Sequence, residues 1–341
     1  MEQLKELVKT LSALPGTSGD EETVRNAIIE RLPSDVDYKV DNLGSLIVEK
    51  KGAATPANKL MMAAHMDEVG FIVTYINEDG TLAFAPVGGI LPAVVFGRQL
   101  VFKNGVHGAV AGKPLHLLKS EEDNQPKLSD LCIDIGADNR EDAEKLVNIG
   151  DCAYFIGEQI DFGDGFMAGK ALDDRVGCAI MLELLHKELP YDCTFVFTVQ
   201  EEIGTRGAAA AAYSVDPDVA VVLETTTACD ISGVDGEKKV CVLGEGPVVS
   251  YMDRSTIYDR ELYKLAFDTA KELDIKCQTK SVVAGGNDSG AIHKAVGGVR
   301  TVAVSLPCRY LHSPSCVIKE SDLYGSARLA EALIGKLGAL K

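Results

Sequence analysis

Thr194-Phe195-Val196-Phe197-Thr198-Val199-Gln200-Glu201-Glu202-Ile203-Gly204 sets two adjacent carboxylates directly behind a run of β-branched and aromatic residues. The run reads as a buried strand, with a helix over 207–212 after it. The acidic pair therefore falls at a strand's carboxyl end. In an open α/β sheet ligands bind beyond that edge, where loops splay apart and helix N-termini face the crevice. Successive side chains leaving a strand point in different directions, so Glu201 and Glu202 can do different jobs, one holding a cation and the other moving a proton. Two glutamates opening a helix also simply complement its dipole. Their meaning depends on what else the chain brings to the same edge.

Outward from that strand, helix and strand patterns alternate. Toward the C-terminus the spacing predicts a strand over 219–223, a helix over 259–273 and a strand within 277–283. A helix over 289–295, a strand over 301–306 and a closing helix over 321–337 follow. Upstream lies a helix over 176–189. The chain opens with two helical patterns within 1–32, a hairpin over 38–48 and a strand over 60–64 that ends at His65. Between Val69 and about Gly165 the texture changes to short β-rich runs punctuated by glycine and proline. There 71–75, 93–96, 100–102 and 153–156 read as strands, 140–147 as a helix, and the polar stretch 120–127 as a surface loop. This block is a small barrel or sandwich inserted at 67–164 into an α/β domain formed by 1–66 and 165–341.

With 341 residues the length predicts roughly two domains. A 46% hydrophobic fraction alongside 25% charged residues is that of a globular chain. The net charge of −17, without any cluster of Lys and Arg, excludes nucleic acid and anionic membranes as partners. No apolar run has membrane-spanning length, and the N-terminus carries early acids in an amphipathic pattern, unlike a secretory signal. The expectation is a soluble cytoplasmic protein. Nine cysteines, none in a CxxC spacing and most in apolar contexts, read as small buried hydrophobes in a reducing compartment.

Five stretches place metal-type donors at strand ends or in adjoining loops: His65-Met66-Asp67, Leu172-Asp173-Asp174-Arg175, Glu201-Glu202, Leu223-Glu224 and Leu311-His312-Ser313. A histidine ligand needs its second ring nitrogen held by an acceptor, and Asp67 suits that role toward His65. Asp173-Asp174 precedes a helix, where an acidic first turn is also ordinary capping. A carboxylate's two oxygens can equally bridge cations about 3.5–4 Å apart. Glu224 ends an apolar strand and needs a partner there. Nitrogen and oxygen donors without thiolate suit Zn²⁺, Co²⁺ or Mn²⁺. Gly285-Gly286-Asn287-Asp288-Ser289-Gly290 lacks both the P-loop lysine and the dinucleotide spacing, and reads as a tight loop shaping a substrate pocket.

Taken together, AAHMDEVGF (63–71), KALDDRVGC (170–178), VQEEIGTRGA (199–208), VLETTTACD (222–230), GGNDSGAIH (285–293) and RYLHSP (309–314) closely resemble the M42 family of metallo-aminopeptidases. That family includes glutamyl and leucyl aminopeptidases and proteins once labelled endoglucanase M. The resemblance implies a mixed-sheet, three-layer catalytic domain of the zinc-peptidase type with an inserted β-barrel. It implies a pair of divalent ions, Zn²⁺ or Co²⁺, one held by His65, Asp173 and Glu224 and the other by Asp173, Glu202 and His312, with Asp173 bridging. Glu201 would be the general base toward a water between the ions, and Asp67 the residue that orients a ligand. Some family members carry Asp where this chain has Glu224, a change of one oxygen donor for another. The implied activity is removal of N-terminal residues from short peptides, in a tetrahedral dodecamer whose dimers form through the inserted block.

Two other classes stay open at this stage. One is a binuclear hydrolase of another bond, such as an N-acyl amino acid amide or a glycoside, although glycosidases ordinarily use two carboxylates and no metal. The other is a non-catalytic assembly protein stabilised by metal, against which Glu201, surplus to ligation, argues. Side-chain preference is open between acidic and aliphatic. Arg309 is a candidate cation for an acidic side chain, or the partner of a structural carboxylate.

Overall fold

Alternation along the central strands sorts their side chains onto two faces, and a computed structural model describing residues 2–113 and 127–340 shows what covers each. In the strand Leu60–His65, Leu60, Met62 and Ala64 pack into one core and Met61 and Ala63 into another. Cys193–Thr198 splits the same way, Phe195 and Phe197 against Val196, as does Val219–Thr227, Val221 and Leu223 against Ala220 and Val222. Strands buried on both faces need helices on both. Glu2–Ala13, Leu172–Leu185, Arg260–Glu272 and Glu320–Gly338 supply the first layer, and Arg206–Val215 with Ser289–Ile292 the second.

Between them lies an eight-stranded mixed sheet, ordered Asp37–Val40, Leu46–Lys50, Cys193–Thr198, Leu60–His65, Val219–Thr227, Arg300–Cys308, Val248–Val249, Gln278–Thr279. Its four central strands are parallel, so their carboxyl ends share one edge. The chain is thus a three-layer α/β protein with a mixed sheet. A closed barrel interrupts it, with strand order Gly70–Ile76, Leu82–Val87, Cys132–Asp134, His107–Ala111, Gln99–Phe102, Cys152–Phe155. Phe71 fills its centre, edge-on to Phe84 at 5.2 Å and to Phe155 at 5.1 Å. Glycine- and proline-rich sequence left barrel and sandwich equally open, and the structure closes the barrel.

Several local expectations change. Residues 93–96 do not form a strand: Pro92–Val95 is a helical turn. Pro92 opens it at the position where a missing N–H costs nothing. The helix expected over 140–147 is helical only at Arg140–Ala143, the one over 289–295 only at Ser289–Ile292, and the strand near 277–283 only at Gln278–Thr279. Leu82–Val87, His107–Ala111, Phe166–Gly169 and Cys316–Lys319 are strands that the sequence pattern did not mark. The loop expected over 120–127 lies, Lys127 apart, outside the described residues. Among the described residues no helix is long and apolar enough to cross a membrane. All nine cysteines carry free thiols.

Candidate metal centre

The parallel strands deliver their chemistry to one place because Thr198 pairs with His65 and Glu224 stands at the level of Ser305 in the adjoining strand. His65 is buried, its Nε2 3.2 Å from Asp173 Oδ1 and 3.5 Å from Glu224 Oε1. On the other side of Asp173, His312 Nε2 lies 3.6 Å from Oδ2 and 3.2 Å from Glu202 Oε2. Two donor sets result, His65–Asp173–Glu224 and Asp173–Glu202–His312, each with ligand atoms within 4.8 Å of one another. Asp173 belongs to both through different oxygens. It enters from an irregular helix start, where neither Asp173 nor Asp174 has helical φ/ψ and their peptide bond is cis.

Each histidine has its second nitrogen occupied. His65 Nδ1 lies 3.0 Å from the main-chain carbonyl of Asp67, closer than the 3.5 Å to that residue's carboxylate. His312 Nδ1 lies 2.6 Å from the Gly89 carbonyl. Such contacts fix ring orientation and present Nε2 to a cation. Gly89 follows the barrel strand Leu82–Val87, so the barrel itself contributes to the centre. Close approach requires glycine beside it. A Cβ on Gly88, whose φ is +88°, would stand 2.8 Å from Val69 Cγ1 and 3.2 Å from Glu202 Cβ.

The Asp67 carboxylate works on the neighbouring strand's carboxyl end. Fully buried, it accepts the Glu201 and Glu202 N–H groups at 3.0 and 3.1 Å and the Ser18 hydroxyl at 2.6 Å. Glu201 belongs to neither donor set. Burial pushes its carboxyl well above the usual range, reinforced by Asp288, Glu202 and Asp67 and only partly offset by His65.

The electrostatics are those of a site with more acid than its own cations can neutralise. Burial pushes Glu202 up to about 8, with repulsion from Asp173 adding to it, and burial plus Asp173 raises Glu224 well above its ordinary value. Burial opposes charge on His65, but Glu224, Asp173 and Asp67 outweigh it and hold the imidazolium well above its usual pKa. His312 rises to about 10 against burial, through Asp173 and Glu202. Burial would raise Asp173, but His312 and His65 prevail and hold it well below. Glu202 Oε1 is buried with no hydrogen-bond partner. An orphaned carboxylate oxygen, two imidazoles and a shared aspartate fit a pair of divalent cations of the Zn²⁺ or Co²⁺ type.

Sequence reasoning missed three contributors. The Gly89 carbonyl is invisible to it because a main-chain acceptor has no residue signature. Asp288, in the loop taken to shape the pocket, is fully buried and accepts the Thr198 hydroxyl. Glu21, which falls within the helical patterns expected over 1–32, accepts the Gln200 N–H at 3.0 Å. Arg309, left with two alternatives, pairs with Asp230 through both oxygens at 2.7 and 2.8 Å, the partner of a structural carboxylate.

Beneath the centre, Arg175 is completely buried and donates to the carbonyls of Met66 at 2.6 Å, Leu11 at 2.7 Å, Leu14 at 3.1 Å and Gly16 at 3.2 Å. It pins the N-terminal segment to the strand end that carries His65. Arg175→Met removes all four of these bonds from a charged donor, each worth about 1.5–3 kcal/mol, although Leu11, Leu14 and Gly16 keep the Leu14 N–H, the Lys170 ammonium and the Glu68 N–H as donors. Urea unfolding is expected to show a loss on the order of 3 kcal/mol or more at unchanged m-value. A loss under about 1 kcal/mol would contradict the clamp.

A family model described as M42 glutamyl aminopeptidase matches residues 44–329. A putative aminopeptidase of Acetivibrio thermocellus is 42% identical, over 96% of this chain and 97% of that protein. An aminopeptidase structure from the archaeon Desulfurococcus kamchatkensis superposes with a TM-score of 0.93 at 34% identity, covering 98% of this chain and 95% of the other. The TET1 peptidase of Pyrococcus horikoshii, described as assembling into a tetrahedron or a large octahedral shell, gives 0.86 at 34% identity over 97% and 99%. Both the fold and the sequence motifs thus lead to one conclusion: the chain belongs to the M42 family of aminopeptidases.

Proposed function

We propose that this aminopeptidase is a binuclear metal enzyme that removes N-terminal residues from short peptides. The observation that carries the proposal is the pair of donor sets meeting on Asp173, with the Glu201 carboxyl next in sequence to one ligand and in neither set. His65, Asp173 and Glu224 hold one cation, and Asp173, Glu202 and His312 the other. Divalent ions so held supply Lewis acidity toward water and toward the scissile carbonyl. Glu201 takes the proton from the attacking water and returns it to the departing amine nitrogen. Burial raises its pKa above the ordinary carboxyl value, which favours proton uptake. Asp67 keeps it in place through the main chain, while the carbonyls of Asp67 and Gly89 orient the two imidazoles.

The assembly follows from the same kinship. The described shell of the Pyrococcus relative supports a homo-oligomer for this chain, with a tetrahedral dodecamer as the specific proposal and the block 67–164 as its dimer contact. Residence in the cytoplasm is the companion proposal, in keeping with nine free thiols.

Metal-stripped protein assayed on a panel of aminoacyl-p-nitroanilides, with each divalent ion added back in turn, tests the function. Activity is expected to fall to background in EDTA and to return with Zn²⁺ or Co²⁺. Hydrolysis of N-acyl amino acids but not of free-amine substrates would transfer the site to another amide bond. Folded, metal-loaded protein inactive on every substrate would favour a structural role for the ions.

A further inference from the structure

Glu21 stands immediately before the helix Glu22–Ile29, at its N-cap, yet its side chain makes no capping bond to that helix. It turns inward instead, 4% exposed. One oxygen, Oε1, accepts the N–H of Gly19 at 2.8 Å and that of Gln200 at 3.0 Å. Gln200 lies in the left-handed region with φ +57°, an uncommon conformation for a residue with a side chain. With the Asp67 bonds to Glu201 and Glu202, three consecutive main-chain N–H groups are held by two buried carboxyl groups. The segment so held is the one that carries both the proposed base and a proposed ligand.

We propose that Glu21 is a positioning residue, whose single acceptor oxygen holds the Gln200 turn so that Glu201 and Glu202 leave the strand in the orientations the reaction uses. The proposal rests on the aminopeptidase reading for its catalytic consequence, but its structural core does not. Asp67 alone fixes the segment at two successive amides, which leaves rotation about the strand end at Gln200. Glu21 removes that freedom and ties the turn to the Gly19 loop. Both amides share Oε1, so acceptor position, not charge, is what matters. Burial pushes the Glu21 carboxyl up to about 7, with repulsion from Asp67 contributing, and a neutral carboxyl still offers its carbonyl oxygen to both donors.

The test compares Glu21→Gln, which keeps the reach and the acceptor but loses the charge, with Glu21→Asp, which keeps the charge but is one methylene short. Hydrogen exchange of the peptide spanning 199–207 reads the clamp independently of catalysis. Protection is expected to survive in Glu21→Gln and to fall in Glu21→Asp. At saturating metal, kcat is expected to drop about 10–100-fold in Glu21→Asp, with KM changed by less than about threefold, and to stay within about threefold of wild type in Glu21→Gln. If Asp preserves protection and turnover while Gln loses them, charge is what matters and the proposal is overturned. Equal, wild-type-like exchange in both variants overturns it as well. Wild-type protein inactive on every aminoacyl substrate would instead count against the aminopeptidase mechanism, and the exchange comparison would still decide the clamp.

Discussion

Glu201→Gln is expected to lower kcat on an aminoacyl-p-nitroanilide by about 10³-fold, in the middle of the range for a positioned acid–base group, while KM and bound metal stay at wild-type levels. The substitution changes one oxygen to an amide. It keeps volume and leaves the main-chain N–H that donates to Asp67 at 3.0 Å untouched. It removes only the ability to take up and return a proton. Because Glu201 lies outside both donor sets, the cations should not sense its loss. A fall in kcat and kcat/KM by the same factor marks an interaction made in the transition state. Metal content by elemental analysis and steady-state kinetics on the same preparation check both halves. Turnover within about tenfold of wild type at full metal content would remove Glu201 from its role.

That such an experiment can be designed from a sequence reflects which interactions leave a local trace. The apolar runs in strands Leu60–His65 and Val219–Thr227 stop at His65 and Glu224, and strand Cys193–Thr198 leads within three residues to Glu201 and Glu202, and a polar residue closing such a run is conspicuous. Parallel order then places the ends at one edge. The barrel was less legible because strands such as His107–Ala111 and Leu82–Val87 are short, carry glycine or proline, and are set by closure with distant partners. The same limit hid Glu21 and Gly89. Their contributions to the centre cross 179 and 223 positions of sequence, and one is a carbonyl that any residue would supply. Arg309 shows the converse. A cation near His312 invites a substrate role by sequence, and only the bidentate Asp230 contact reveals it as neutralised.

Asp173→Asn is expected to do what no other single substitution in the centre does: empty both cation sites together and bring turnover to background. Its two oxygens face different imidazoles, Oδ1 at 3.2 Å from His65 Nε2 and Oδ2 at 3.6 Å from His312 Nε2. An asparagine keeps the shape but turns one face into a donor and removes the negative charge that both cations would share. Glu224→Gln and His312→Ala each touch one donor set, so each is expected to lose one ion and retain the other. Cation binding only to the folded state stabilises it by about 4 kcal/mol per site at a thousandfold excess over Kd. Thermal melts should therefore respond to added Zn²⁺ or Co²⁺ strongly in wild type, partly in Glu224→Gln and His312→Ala, and hardly at all in Asp173→Asn. Melting the metal-free forms side by side separates this from a folding defect, because any stability lost with the Asp173 contacts to His65 and His312 shows there with no cation bound. If Asp173→Asn holds the full complement of metal and turns over normally, Asp173 is not the bridge, and the two donor sets would have to act as separate sites.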